Sequence, residues 1–385
     1  RPGQWYLDRT EGKVVYWPLD EEDPEKLEVV APTTFSVIRL VGRENQPVRN
    51  VTIKGVVVSA TSTPLVAGGF GARYYDGAID AENVEDLVVT GVVVRNVGGT
   101  GIKVAAGVRT SIDHCRVHDT GAGGIYLEKS PESTITNNTV HHIGRTYHSG
   151  IGLRASCPHG TVAHNHVHHT PYSAVNAGAE GLHIEHNHLH HCMLELSDGG
   201  AIYFGFNKGV VIRGNYIHDI KDHPGRQRGR CHGIYLDERA EQCLVEKNLV
   251  VDVPCAMHGH MGTGNTWRNN ACISRTDLWL AFARCTDQVL DRNVFLTWGD
   301  IVVRPPEAIG SMPDNIFYSA DGKLKAITLD DYEAVGEDEL TLTDGSVAED
   351  PQLNLQGKCV DFPDGSSARR LGIEPIDVST AGPLD

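Results

Sequence analysis

The sequence has few aromatic side chains: Phe, Trp and Tyr make up only 6% of its 385 residues, too few for the core of one large globular domain. It lacks an apolar run of the roughly 18 residues that a membrane-spanning helix needs. It also lacks any Cys-x-x-Cys pair, and its nine cysteines are an odd number, so neither a zinc ribbon nor a complete disulfide framework is indicated. We therefore expect buried thiols, and either several domains or one elongated repeat architecture.

The balance of charge disfavours two classes of partner. The chain carries 34 basic and 50 acidic residues, a formal charge of -16. Such a chain repels nucleic acid phosphates and anionic membranes, so we expect neither as a partner. Because residue 1 is Arg and not Met, we expect the natural chain to begin earlier.

One short pattern recurs along the chain: an apolar residue, two polar residues, Asn, any residue and another apolar residue. The repeated Asn falls 22 to 33 residues apart, at 138, 165, 187, 215, 248, 270 and 293. Each unit holds short segments rich in Val and Ile and none with helical periodicity. The repeat therefore predicts an all-β parallel β-helix, a solenoid in which the buried Asn amides bond to one another as an asparagine ladder.

The repeat also predicts the domain organisation. Residues 1–50 are expected to form lead-in strands, and residues 51–305 a parallel β-helix catalytic domain. The period fails after about residue 305, so 306–385 is expected to cap the open end of the solenoid.

A second apolar segment follows each Asn, and its alternating residues predict two outward columns of side chains. One column is expected to contain Tyr126, Gly152, Asn176, Tyr203, Tyr235 and His258. The other is expected to contain Glu128, Arg154, Gly178, Gly205, Asp237 and His260. The longer coils place their extra residues at 143–149, 192–199 and 220–232, where loops would overhang the same face. Aromatics, imidazoles and single charges beneath such loops predict a groove that binds sugars.

Asp198, in S-D-G-G-A-I-Y, and Asp237, at the end of G-I-Y-L-D, are the candidate catalytic residues. Glycoside hydrolysis requires two carboxyl groups, one to protonate the leaving oxygen and one to act as nucleophile or base. The alternative is that neither residue is catalytic: Asp198 only forms a turn before Gly-Gly, and Asp237 is a solvated residue on an outer face. Glu195 is a second candidate for the acid, and Glu128 and Glu238 are reserve carboxylates.

The candidate substrate-binding residues are those expected to face the groove: Glu195, Tyr203, Tyr235, His258, His260, Arg154, Asn176, Glu128, Arg230 and His232. His258 and His260 could instead be two metal ligands, but no third ligand is evident, and we predict neither a metal nor a cofactor. A basic cluster of Lys221, Arg226, Arg228 and Arg230 is either a contact for an acidic substrate group or a solvated loop.

Another set of histidines recurs three residues after the repeated position, which is Cys115 before His118 and Asn before His141, His168, His190 and His218. This column belongs to a different face, so we interpret it as rings stacked along the solenoid. Acid would charge these rings together, which predicts that the fold loosens below about pH 5.5.

Several segments together resemble glycoside hydrolase family 141: W-Y-L-D…G-K-V-V-Y-W-P, D-G-G-A-I-Y, G-I-Y-L-D, M-H-G-H-M-G…W-R-N-N and A-E-D-P-Q-L-N…S-S-A-R-R-L-G-I-E-P-I-D. The resemblance covers nearly the whole chain and implies a right-handed parallel β-helix. It implies α-L-fucosidase or xylanase activity on plant or algal polysaccharides, secretion or a periplasmic location, and a catalytic pair at Asp198 and Asp237.

Two other functions remain open at this stage. A polysaccharide lyase would need a base and a cation to neutralise a uronate, for which only Arg154 and the basic cluster are available. A carbohydrate-binding or adhesin solenoid would need no catalytic pair at all. In each case the partner is an oligo- or polysaccharide, and we expect a monomer or homodimer.

Overall fold

The computed structural model describes residues 1–222 and 230–384. The chain divides into two compact units, Arg1–Thr33 and Thr34–Asp385. The first unit contains an antiparallel hairpin of Trp5–Asp8 and Lys13–Tyr16.

Within the described residues, the second unit is built mainly from three parallel sheets. Sheet 1 contains Ile38–Val41, Val48–Arg49, Gly77–Glu85, Thr100–Val108, Ile125–Glu128, Leu153–Ala155, Val175–Ala177, Gly199–Gly205, Cys231–Asp237, Cys255–His260, Leu278–Ala283, Ile301–Arg304 and Leu324–Asp330, closed by the antiparallel Glu333–Glu339. Sheet 2 contains Thr52–Lys54, Val88–Thr90, Ser111–Asp113, Thr134–Thr136, Thr161–Ala163, His183–Glu185, Val211–Arg213, Leu244–Glu246, Thr266–Arg268, Gln288–Asp291 and Ile309–Ser311. Sheet 3 contains Val57–Thr61, Val93–Val97, Arg116–Thr120, Thr139–His141, His166–His168, His188–His190, Tyr216–His218, Leu249–Val251, Ala271–Ser274, Val294–Thr297 and Ile316–Ser319.

Each strand pairs with the equivalent strand of the next coil, so inward side chains stack on their own kind. In sheet 2 the register aligns Ile135, Val162, Ile184 and Ile212, all essentially buried. Burying one such side chain stabilises the fold by about 1.5–3 kcal/mol, and the stack repeats this at every coil. The predicted parallel β-helix is therefore confirmed.

The repeated Asn forms the predicted ladder. The amide of Asn138 donates to Asn165 Oδ1 at 3.0 Å, and the same bond recurs through Asn187, Asn215 and onward to Asn315. The residue before each Asn has a left-handed φ, for example 55° at Asn137. This conformation makes the corner between sheets 2 and 3 and explains why two polar residues precede the Asn.

The cysteines are buried thiols, as predicted: all nine are free, and eight are buried. Among the described residues, no helix has the length and apolar character needed to cross a membrane. Short helical turns occur at Phe70–Ala72, Pro306–Ala308 and Ser367–Arg370.

The C-terminal segment packs on the outer face of sheet 3. Its strands Asn354–Gln356, Cys359–Asp361 and Ile376–Asp377 form a small antiparallel sheet. It buries an apolar cluster against Leu249 and Ala271. The outward column of sheet 3 becomes apolar after Tyr216, at Leu249 and Ala271. These apolar side chains form the surface on which the C-terminal segment packs.

Candidate active site

The outer face of sheet 1 carries the side chains predicted to line a groove. The register places Tyr126, Arg154, Asn176, Tyr203, Tyr235 and His258 in one column. The predicted alignment of 150–154 was wrong by two residues: Tyr126 is paired with Arg154 and not with Gly152. The strand of that coil begins at Leu153, because the chain first completes the turn that carries the 143–149 loop.

Asp237 ends a strand of sheet 1, and its carboxylate is held by three donors. His260 Nδ1 donates to Oδ1 at 2.9 Å, the Tyr203 hydroxyl donates to Oδ2 at 3.0 Å, and the Glu238 amide donates to Oδ1 at 2.8 Å. The other ring nitrogen of His260 accepts from Tyr332 at 2.7 Å, which fixes the tautomer. Three hydrogen bonds hold this carboxylate in one orientation, in which it can act as a base or nucleophile.

Asp198 stands immediately before the strand Gly199–Gly205, with a left-handed φ of 58°. The Tyr172 hydroxyl donates to its backbone oxygen at 2.8 Å, and the same ring leaves no room for a side chain at Gly199, where an added Cβ would lie 2.8 Å from Tyr172 Cε2. The Asp-Gly-Gly sequence is therefore needed for packing as well as for the turn.

The environment of Asp198 differs from that of Asp237. Although Asp198 is still exposed to solvent, the surrounding protein partly desolvates its carboxyl group and raises its pKa; the negative charge of Asp237 raises this pKa further, and His260 partly opposes both effects. Among the described residues, no donor contacts the Asp198 carboxyl group. A carboxyl group with a raised pKa beside a hydrogen-bonded carboxylate is the arrangement that separates an acid from a base.

Three tyrosines lie in the field of both carboxylates. Burial raises the pKa of Tyr172, Tyr203 and Tyr235, and the charges of Asp198 and Asp237 raise it further. Their hydroxyls therefore stay protonated and remain donors. The Tyr203 ring meets Tyr172 edge-on at 6.2 Å and Tyr235 at 5.0 Å, which makes a continuous aromatic floor.

A polar row continues the groove away from Asp237. Arg154 donates from Nε to Glu128 Oε1 at 2.5 Å and from Nη1 to Asn176 Oδ1 at 2.6 Å. Asn176 in turn donates to the Tyr203 carbonyl at 2.8 Å. These side chains line a cavity of about 410 Å³ that also contains Asp237.

Two walls of the groove come from segments that the repeat did not identify. The turn at Phe70–Ala72 places Phe70 edge-on to Tyr172 and Tyr203, and Tyr126 holds it by donating to the Gly71 carbonyl. The turn between Leu324–Asp330 and Glu333–Glu339 brings Tyr332 to His260. The aromatic stretch F-G-A-R-Y-Y at 70–75 was the available signal for the first wall, whereas nothing in the sequence marked Tyr332.

The remaining predicted contacts are distributed around this centre. His232 and Tyr235 are only 5% exposed and lie in the floor. Arg230 stacks on Trp279 at 3.9 Å and pairs with Asp222. The other predicted positions are Glu195, exposed on the 192–198 loop, Lys221, also exposed, and Arg226 and Arg228, which lie outside the described residues.

His258 and His260 do not form a joint metal site. Both ring nitrogens of His260 are engaged, and His258 Nδ1 donates to the Ala281 carbonyl at 3.0 Å. His258 instead groups with His232 and Cys255, whose ligand atoms lie within 4.8 Å of one another. Burial raises the pKa of the Cys255 thiol to about 12, and this thiol donates to the Met257 carbonyl, so it stays protonated and is a poor metal ligand at neutral pH.

Comparison with known proteins supports the fold. The family described as "Right handed beta helix region" matches residues 37–203, and the predicted right-handed parallel β-helix is thereby confirmed. No curated protein matches the chain at a significant level.

Three solved structures illustrate the range of similar proteins. A structure named "Glycoside hydrolase" is 19% identical with a TM-score of 0.60, and the alignment covers 70% of this chain and 56% of that one. The PL6 family alginate lyase AlyGC is 13% identical over 87% and 55% of the two chains, with a TM-score of 0.49. The Streptococcus pneumoniae surface protein and adhesin PfbA is 11% identical over 74% and 82%, with a TM-score of 0.45.

The family match and the first of these structures support the fold and leave the chemistry to the site itself. The alignment spans only 56% of the length of that first structure. The narrower resemblance to family 141 stays a prediction.

Proposed function

We propose that this chain is a glycoside hydrolase that cleaves an oligo- or polysaccharide in the sheet 1 groove, with Asp198 as general acid and Asp237 as base or nucleophile. The observation that carries the proposal is the contrast between the two carboxyl groups. Asp237 accepts three hydrogen bonds, whereas Asp198 has a raised pKa from desolvation and from Asp237.

This contrast assigns the two roles. A general acid must hold its proton until the glycosidic oxygen leaves, and a raised pKa serves that purpose. The second carboxylate must be oriented to attack the anomeric carbon or to activate water, and the hydrogen bonds from His260 and Tyr203 serve that purpose. The chain Tyr332–His260–Asp237 also holds the carboxylate in one orientation.

The groove suits a neutral sugar. Phe70 and Tyr203 offer aromatic surface, and Asn176 together with the Arg154–Glu128 pair offers donors and acceptors for hydroxyl groups. We propose α-L-fucosyl and β-xylosyl residues as the first substrates to test, and a polysaccharide substrate is consistent with action outside the cell.

A lyase reaction fits the groove less well. It would require an uncompensated cation to neutralise a uronate carboxylate, but Arg154 is already bound to Glu128 and Asn176. Because Glu128 already neutralises its positive charge, Arg154 is poorly placed to serve as that cation.

The test is an assay of reaction type. The wild-type chain is incubated with aryl α-L-fucoside, aryl β-xyloside and a set of polysaccharides. Released aryl alcohol and new reducing ends are measured together with the ultraviolet absorbance of unsaturated sugars. Hydrolysis without unsaturated product supports the proposal, whereas unsaturated product would establish a lyase.

Variants then test the pair. Asp198→Asn and Asp237→Asn are each expected to lower kcat/KM by a factor of about 10² to 10⁴ or more, since each removes a group that acts in the transition state. Asp364→Asn, at an exposed position, is the matched control and is expected to retain full activity. Near-full activity of either groove variant on a substrate with an unactivated sugar leaving group, with the fold intact by circular dichroism, would refute the assignment.

A further inference from the structure

The outer face of sheet 3 carries a dense field of imidazoles, far from any role in the groove. The predicted column of His118, His141, His168, His190 and His218 is confirmed, with successive rings stacked 4.8 to 4.9 Å apart. A second column lies beside it, in which His166 stacks on His188 at 4.6 Å. The six-residue repeat by itself does not predict this second column, although both histidines precede an inward residue at equivalent places, in N-H-V and N-H-L.

The two columns meet through their ring nitrogens. His166 Nε2 lies 2.8 Å from His190 Nε2, and His188 Nε2 lies 2.8 Å from His218 Nε2. Ligand atoms of His166, His188 and His190 all lie within 4.8 Å of one another. Stacked rings of a purely structural ladder need only face contact, whereas each of these diagonal pairs also makes an N–H···N hydrogen bond across coils, in which one ring donates and the other accepts.

Neighbouring groups hold these rings as metal ligands are usually held. His218 Nδ1 donates to Asp219 Oδ2 at 2.7 Å, which leaves its Nε2 as the acceptor for His188 Nε2. His190 Nδ1 lies 2.7 Å from His191 Nδ1. A hydrogen bond at the remote nitrogen is the usual second contact of a histidine ligand, because it fixes the tautomer and the ring orientation.

The rings are also in the form that binds metals. Burial lowers the pKa of His166, His188 and His190, to about 2 for His188 and about 3 for His190. They are therefore neutral near pH 7, and the one proton shared by each diagonal Nε2 pair is what an entering cation has to displace. The positive charge of the Lys358 ammonium group opposes the binding of a cation. The same charge lowers the pKa of His166 and His188.

The C-terminal segment lies close to the cluster. Gly382 donates to the His186 carbonyl at 2.9 Å, and an added Cβ at Gly382 would lie 3.6 Å from His188 Cβ. The C-terminal segment therefore borders the cluster on one side, and Lys358 lies 5.7 Å from the centre of the neighbouring Tyr216 ring.

We propose that this face binds a late first-row divalent cation, such as Zn²⁺, through Nε2 of His166, His188 and His190, with His218 beside them. Imidazole is a preferred ligand of such ions. These three ligands come from two successive coils and His218 from the next, so the ion would link neighbouring coils in the middle of the solenoid. The inference does not rest on the proposed hydrolase activity.

The test is direct titration of the full chain with Zn²⁺ after removal of metals by a chelator and dialysis. Calorimetry, or competition with a chromogenic chelator, gives the stoichiometry and Kd, and thermal unfolding gives the shift in Tm. We expect about one tightly bound Zn²⁺ per chain and a rise in Tm with Zn²⁺ concentration, as mass action requires. No binding beyond that of a weak surface site would overturn the proposal.

Variants separate this site from general affinity of histidines for metal. His166→Gln/His190→Gln is expected to weaken Zn²⁺ binding by at least tenfold, whereas His118→Gln/His142→Gln, which removes two imidazoles from the same face, is expected to leave Kd nearly unchanged. Equal losses in the two double variants would overturn the assignment. Lys358→Gln retains all ligands and is expected to bind Zn²⁺ several-fold more tightly, because it removes a nearby positive charge. Unchanged or weaker binding in this variant would contradict the assigned position.

Discussion

The histidine face of sheet 3 makes the stability of the solenoid depend on pH. Burial lowers the pKa of His141 to about 4, of His168 and His190 to about 3, and of His188 to about 2. In the unfolded chain an imidazole has a pKa near 6.5. Below that pH the unfolded chain binds more protons than the folded one, so stability falls as the pH falls.

The size of the effect follows from the difference in proton binding. At about pH 5, each unfolded ring has gained about 2 kcal/mol from protonation that the folded ring forgoes. Because each ring keeps part of its surface in water, we take about half of that value, or about 4 kcal/mol for the four rings together. For a chain of 385 residues, this corresponds to a fall in Tm of about 5 °C between about pH 7.5 and pH 5.

Other groups do not cancel this trend. The hydrogen bond with Asp113 raises the pKa of His114, so this one ring stabilises the fold as the pH falls. Carboxylates such as Glu85, whose pKa is lowered by hydrogen bonds with Arg49 and Arg109, lose their contribution only below about pH 4.5.

The assay is thermal unfolding followed by circular dichroism across this pH range, with a chelator present to exclude metals. His168→Gln/His190→Gln is expected to remove about half of the pH dependence, while His148→Gln, at an exposed position, leaves it unchanged. A Tm that stays flat from neutral pH to about pH 5 would refute the reasoning, as would a double variant with the full wild-type slope.

Two further predictions concern the ladder and the site. Asn215→Ala removes a buried amide that bonds to both neighbouring coils. It is expected to lower the free energy of unfolding by about 3 kcal/mol and Tm by about 4 °C, whereas the control Asn45→Ala, at an exposed position, leaves Tm unchanged. An unchanged Tm in Asn215→Ala would contradict a stabilising role of the ladder. Tyr203→Phe removes one donor to Asp237 and is expected to lower kcat/KM about tenfold or more with little change in Tm, while wild-type kinetics would show that this hydrogen bond is dispensable.

Much of the fold could be predicted because each coil of the solenoid carries the same short sequence pattern. The Asn of each coil bonds only to the next coil, so a pattern of six residues is enough to predict the ladder and the column of His118 and His141. The error at Arg154 arose where this regularity fails, since an enlarged coil shifts the strand by two residues and only pairing with Tyr126 reveals it.

The candidate site could be predicted only in part. Asp237 and His260 lie on neighbouring coils, and their alignment followed from the repeat. Phe70 and Tyr332 reach the groove from segments remote in sequence, and nothing in a local pattern encodes such contacts. A local pattern also does not encode the different environments of the two carboxyl groups. The pKa of Asp198 is raised by desolvation, and the three donors to Asp237 come from different parts of the chain.

The central claim is that Asp198 supplies the proton and Asp237 the base or nucleophile, and leaving-group dependence tests it most directly. Kinetics of both Asn variants are compared on a glycoside with a highly acidic aryl leaving group and on one with a natural sugar leaving group. We predict that Asp198→Asn loses activity by a factor of about 10² to 10⁴ on the sugar glycoside and far less on the activated one, which needs no acid, whereas Asp237→Asn loses both. Equal losses on the two substrates for Asp198→Asn would contradict the account.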